Sequence, residues 1–150
     1  GLVAAAVAEG AVSELGGYAS IRREVRYGQN SRIDLLLEGD GRPPCYVEIK
    51  NVTMRRGRDA DAPAEFPDSV TARGTKHLGE LAEMVRQGGR AVMFYLVQRG
   101  DCRQLAIAAD IDPQYAEAYS RAVASGVEVV CYGCRLTPDE ITLSAPLAIA

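Results

Sequence analysis

Residues 31–53 read S-R-I-D-L-L-L-E-G-D-G-R-P-P-C-Y-V-E-I-K-N-V-T. An apolar run opened by Asp34 and a second run carrying Glu48-x-Lys50 flank a Gly- and Pro-rich turn from Gly39 to Pro44. The stretch is therefore two strands with a short connection. Strand periodicity puts Tyr46, Glu48 and Lys50 on one face of the second run and Val47 and Ile49 on the other. Two carboxylates and an ammonium on paired strands suit a hard cation: Asp34 and Glu48 can hold Mg²⁺ or Mn²⁺ through oxygen. Lys50 can then orient a water or stabilise negative charge developing on a phosphate.

Working outward, Ile21 to Tyr27 reads as a strand set off by the turn sequence Gly28-Gln29-Asn30-Ser31. Three consecutive strands with short connections form an antiparallel meander. Before it, Leu2 to Leu15 has helix-forming composition, with Val3, Val7, Ala11 and Leu15 on one face and Gly16-Gly17 as the stop. Glu14 then sits on the last turn, close to the chain entering the strands. Residues 53–69 form a long aperiodic connection, of the kind that is functional or mobile. Its Arg55, Arg56 and Arg58 either meet phosphates or are simply solvated.

A helix is predicted from about Val70 to Gln87, with Asp68 or Ser69 as N-cap. Leu78, Leu81, Ala82 and Val85 lie on its apolar face, and Arg73, Lys76, His77 and Glu80 along the adjoining polar faces. Ala91 to Gln98 is nearly all apolar, as expected of a central strand covered on both sides. Pro113 to Ala124 reads as a helix capped by Asp112, followed by strands at Val127 to Tyr132 and Ile141 to Leu143. The order is α-β-β-β-α-β-α-β-β, one α/β domain.

The chain has 150 residues, 47% hydrophobic and 25% charged, enough for one core without metal or disulfide support. No apolar run is long enough to span a bilayer, and the start lacks the basic region and cleavage site of a secretory signal. The chain opens inside a helical pattern, so it reads as a fragment without its N-terminal part. Cys45, Cys102, Cys131 and Cys134 are scattered in apolar contexts, which is reduced, cytoplasmic usage. Cys131-x-x-Cys134 lacks the further ligands that zinc needs, since the one histidine, His77, is far off in sequence.

A net charge of −3 argues against gripping DNA by bulk field alone. Its distribution is more telling. Residues 20–76 carry eleven basic against nine acidic side chains, a balance of +2, and the remainder carries −5. The positive part coincides with the site.

An α-β-β-β-α-β core with an acid on the second strand and E-x-K on the third resembles the PD-(D/E)xK nuclease superfamily. Longer motifs narrow the likeness: R-R-E-V-x-Y-G at 22–28, S-R-I-D at 31–34, Y-V-E-I-K-N-V-T at 46–53 and F-P-D-S-V-T-A-R-G-T-K-H-L-x-E-L at 66–81. R-A-V-M-F-Y-L-V-Q-R at 90–99, I-D-P-x-Y at 111–115 and G-V-E-V-V-C-Y at 126–132 complete the set. Together they resemble the bacterial and archaeal sugar fermentation stimulation protein family, SfsA, over essentially the whole chain.

The resemblance implies a smaller OB-like barrel ahead of the nuclease-like domain, which this chain does not contain. It also implies DNA binding, regulation of sugar (notably maltose) metabolism, and Mg²⁺-dependent phosphodiester hydrolysis. Carried over, Asp34 and Glu48 become metal ligands with the Ile49 carbonyl as a third. Lys50 assists the attacking water and Glu14 helps from the first helix. Arg73, Lys76 and His77 contact a scissile phosphate or polarise water. Arg22, Arg55 and Arg56 are expected to extend the Arg73–Lys76 surface into one nucleic-acid-binding face. Ile33 precedes Asp34, so the Pro-Asp pair of the superfamily name is not kept, and Pro67-Asp68 is a different element. Two functions remain: a metal-dependent nuclease acting on DNA or RNA, and a non-catalytic DNA-binding regulator that retains the fold.

Overall fold

The apolar run near residue 91 forms the strand that the rest of the molecule surrounds. A computed structural model describes all residues, 1–150. In chain order it contains α1 (Leu2–Ala8), β1 (Ser20–Tyr27), β2 (Ser31–Glu38), β3 (Cys45–Val52), β4 (Ala64–Phe66), α2 (Ala72–Arg86), β5 (Arg90–Val97) and β6 (Gln104–Ile107). Then follow α3 (Pro113–Ala124), β7 (Glu128–Leu136), β8 (Ile141–Pro146) and β9 (Ala148–Ile149). Six strands form the main sheet in the order β1-β2-β3-β5-β7-β8. The β1-β2-β3 meander is antiparallel, whereas β3, β5 and β7 run parallel. The expected α/β nuclease-like core is present: α1, the meander, α2 and the parallel β5.

Burial follows from covering both faces. The α2–α3 face holds Ile33, Leu36, Leu78, Leu81, Met93, Tyr95 and Tyr115, among others. The α1 face holds Val3, Val7, Leu15, Leu35, Leu37, Val47, Phe94 and Tyr132, among others. Every residue of β5 after Arg90 is buried, because both layers close over it. No helix is long and apolar enough to cross a membrane.

Several sequence expectations need correction. The first helix ends at Ala8, since Gly10 takes φ 77° and only a single 3₁₀ turn, Ser13–Leu15, follows. Val12 is buried in place of the expected Ala11. Neither Asp68 nor Ser69 caps α2. Thr71 does, accepting the Gly74 N–H at 3.0 Å, while its own N–H donates to Asp112 at 2.8 Å. Asp112 also caps α3 as expected, through the Tyr115 N–H. The 53–69 connection is not wholly irregular: it contains β4, which pairs with β6 and, through it, β9 in a small parallel sheet. Cys131 and Cys134 belong to different faces of β7, so they hold neither a shared metal nor each other.

Candidate metal and phosphate site

The site is where the sheet comes apart. Strands β2 and β3 pair through Leu37↔Cys45, Leu36↔Tyr46 and Leu35↔Val47, and there the ladder ends. The next level would join Asp34 to Glu48. Instead the Asp34 side chain enters the gap and its Oδ2 accepts the Ile49 N–H at 2.7 Å. A strand residue's N–H and C=O leave on the same side, so the Ile49 carbonyl also faces this gap.

The same level is special in β1. Glu24 takes φ 54°, a left-handed conformation uncommon for a residue with a Cβ. Before it, Ile21 packs on the α1 face. After it, Val25 and Tyr27 pack on the α2–α3 face. β2 switches likewise: Leu35 and Leu37 face α1, yet Ile33 faces α2. Pairing keeps one register throughout, Arg23↔Leu35 and then Val25↔Ile33, so no residue is inserted. The hairpin reverses its faces at Glu24 and Asp34, and those two acids line a cavity on each side of the sheet.

The hairpin tip is tied to α2. Glu80 accepts from the Ser31 hydroxyl and from the Gln29 N–H. Gly28 sits at φ 57°, where glycine is favoured, and a Cβ there would displace the Glu80 carboxylate that ties the tip to α2.

Glu48, Lys50 and His77 form a compact cluster under α2. Glu48 is only 5% exposed and His77 only 4%. Lys50 Nζ and His77 Nδ1 lie 3.4 Å and 3.3 Å from Glu48 Oε1, and 3.2 Å from each other. With its proton on Nε2, His77 accepts from Lys50. With it on Nδ1, His77 donates to Glu48. Either way Oε1 is occupied, whereas Glu48 Oε2 is buried with no partner.

Burial pushes the Glu48 carboxyl up, but His77 and Lys50 outweigh it and hold the group below its usual range. Asp34 goes the other way. Burial, opposed by the Ile49 N–H and reinforced by the charge of Glu48, raises it to about 6.

An unpartnered buried carboxylate oxygen is costly, by about 1–3 kcal/mol, and calls for a donor or a cation. The donor set is all oxygen, which fits Mg²⁺, Mn²⁺ or Ca²⁺ rather than a softer metal. No three His, Cys, Asp or Glu side chains are arranged so that they could hold an ion by themselves. Asp34, Glu48 and the Ile49 carbonyl could therefore supply part of a cation's oxygen shell, with water or a phosphate oxygen completing it.

The remaining residues expected at the site divide. Arg73 and Lys76, on the exposed side of α2, line the same cavity of about 380 Å³ as Asp34, Glu48 and His77. Lys76 donates to the Gln29 carbonyl at 3.1 Å. Glu14 does not join them. It lies on the α1 face, where its carboxylate accepts from Tyr132 at 2.7 Å, because the helix meant to carry it inward has already ended.

Arg22 is paired with Glu38 at 2.9 Å. Arg55 is turned onto the Asp59 and Ala62 carbonyls of its own loop, with Asp101 at 3.7 Å. Arg56 bridges Glu65 and Asp110. These three arginines tie the protein together and do not extend the site. Sequence reasoning missed Glu24 and Arg32, which do line the cavity. The only signal was charge at every second residue, Arg22, Glu24 and Arg26 in one strand and Arg32 and Asp34 in the next.

Comparison with known proteins agrees with this architecture. The family described as Sugar fermentation stimulation protein RE domain matches residues 1–140. A sugar fermentation stimulation protein homolog of Paramagnetospirillum magneticum is 62% identical over 149 residues, covering 99% of this chain and 61% of the relative. Its counterpart in Rhodospirillum rubrum is 57% identical over 144 residues, covering 91% of this chain and 59% of the relative. The chain thus spans about three fifths of the curated relatives it matches. The structure of Pyrococcus furiosus SfsA in complex with Ca²⁺ superposes with a TM-score of 0.85 at 29% identity, over 97% of this chain and 61% of that one.

Proposed function

Because the chain belongs to the sugar fermentation stimulation protein family, we propose that it is the nuclease-like part of a cytoplasmic nucleic-acid-binding protein that hydrolyses phosphodiesters with Mg²⁺ or Mn²⁺. The observation that carries this reading is the buried, unpartnered Glu48 Oε2 in a polar cavity shared with Asp34. Asp34, Glu48 and the Ile49 carbonyl would hold the cation. Pyrococcus furiosus SfsA with Ca²⁺ supports an oxygen-seeking divalent ion. When bound, such an ion supplies charge neutralisation at a phosphate and a more acidic water.

The chain's own groups supply the rest. Lys50, fixed by Glu48 and His77, presents an ammonium beside the reacting phosphate, where it steadies developing negative charge. His77 holds the lysine in place from the buried side of α2. Arg73 and Lys76 line the cavity, where they would bind a phosphate and orient it. Family resemblance links this activity to sugar metabolism.

Nicking of supercoiled plasmid by the full-length protein tests the reading. Lys50→Ala should slow cleavage by about 10²–10³-fold while Mn²⁺ binding persists. Asp34→Ala should lose both. Retained DNA binding with no nicking by any form would leave the non-catalytic regulator instead.

A further inference from the structure

The β1–β2 hairpin carries a charge arrangement that the metal site does not explain. Arg26 and Arg32 are direct cross-strand partners, and both are exposed. No carboxylate lies within 4.0 Å of either, although most other arginines of the chain are matched, Arg22, Arg56, Arg90, Arg99 and Arg121 among them. Like charges directly opposite on an antiparallel pair destabilise it. In an unreversed hairpin, Glu24 and Asp34 would flank this pair on the same face, two residues away on each strand. The reversal of faces at Glu24 and Asp34 takes Arg26 and Arg32 out of line with both acids, which border cavities on the two sides of the sheet. The sheet geometry at the site therefore leaves these two arginines without an ion pair, while Arg32 still borders the cavity that Glu24 and Asp34 line.

Their position suits a specific ligand. Arg32 lines the cavity that holds Asp34 and Glu48. Arg26 lines a smaller one at the hairpin tip that shares Asn30 and Ser31 with it, so the two are adjacent. Along β2, Arg32 lies two residues from Asp34, about 7 Å. We propose that the hairpin is a phosphate clamp for double-stranded DNA, Arg26 and Arg32 together gripping backbone phosphates next to the one held in the metal site. Paired guanidiniums offer bidentate contacts to phosphate oxygens, and an anion between them converts their repulsion into affinity. This assignment rests on the nucleic-acid reading above and replaces Arg22, Arg55 and Arg56 as the basic surface beside the site.

The test is the salt dependence of binding of a short DNA duplex to the full-length protein, followed by fluorescence anisotropy. The Arg26→Gln/Arg32→Gln double variant should lower the slope of log K against log salt by about 1.8, the value for two lost phosphate contacts. Its thermal midpoint should stay level or rise as the repulsion disappears, and it should bind Mn²⁺ no more weakly than the parent, because the change removes positive charge beside Asp34. Arg135→Gln, an exposed arginine on the distant β7, should leave the slope unchanged. An unchanged slope in the double variant overturns the clamp and leaves the proposed function standing. An equal fall with Arg135→Gln also overturns it, since the effect is then one of net charge. A parent protein showing no salt-dependent binding removes the nucleic-acid reading and the clamp with it.

Discussion

Replacing Asp34 by asparagine should make the metal-free protein more stable at neutral pH and unable to hold a divalent cation. The Asp34 carboxyl stands at about 6 against an ordinary value of 3.8, chiefly through burial. An elevation of about two units disfavours the ionised form by roughly 3 kcal/mol. Below about pH 4 the folded and unfolded chains both carry the proton, so no penalty arises. As pH rises through about 6 the folded chain must ionise too, and the stability present in acid is lost.

Asparagine removes that penalty and still accepts the Ile49 N–H, though this neutral bond is weaker than the charged one by about 1 kcal/mol. The net gain at about pH 8 is roughly 1–2 kcal/mol, or about 2–8 °C in midpoint for a chain of this size. Thermal unfolding in chelator across about pH 4 to 8 should show the two proteins converging in acid, separating between about pH 4 and 6, and keeping a constant gap above that. Adding Mn²⁺ should then raise the parent's midpoint with concentration and leave the variant's unmoved. A stability difference that ignores pH, or an asparagine variant less stable at about pH 8, would refute the reasoning.

Tyr115→Phe leaves the buried Tyr95 hydroxyl without its partner at 2.5 Å and should cost about 1–3 kcal/mol in urea unfolding. His77→Ala should cost a similar 1–3 kcal/mol, about what losing one buried hydrogen-bonding partner costs. It should also slow nicking, because Lys50 loses the ring that fixes it, and His77→Gln should restore part of both. Arg56→Ala should lower the thermal midpoint by detaching Glu65 from Asp110 while leaving the salt slope of DNA binding unchanged. Glu14→Gln should leave the nicking rate as it was, since the carboxylate lies across the sheet from the cation site.

The meander, the helical face of α2 and the capped start of α3 were legible because each is written in local periodicity or capping chemistry. The alternation that placed Glu48 and Lys50 on one face of β3 is the same signal, and it holds in the structure. The reversal at Glu24 and Asp34 was not legible. A period of two assumes every residue stays in the β region, and nothing in R-R-E-V announces a glutamate at positive φ. Strands of two to four residues, such as β9, β4 and β6, are too short for periodicity to register.

The arginines misled for a different reason. Sequence gives their charge, but whether that charge is free depends on partners as distant as Asp110 for Arg56. The α2 cap failed similarly, since Thr71 is set by Asp112, which reaches it from the start of another helix.

One consequence of the hairpin's change of face concerns how the molecule comes apart. The base of the hairpin sends Ile21, Leu35 and Leu37 into the α1 layer and Leu36 into the other, whereas Val25, Tyr27 and Ile33 at its tip all join the α2–α3 layer. Neither layer can loosen without dragging on the same two strands, so the layers should exchange their deepest amides together, in a single opening event. The hinge of that event is the level of Asp34. A divalent ion seated there would act as a rivet through the crossing point, slowing exchange on both sides of the sheet at once, including amides of β7 that lie far from any ligand.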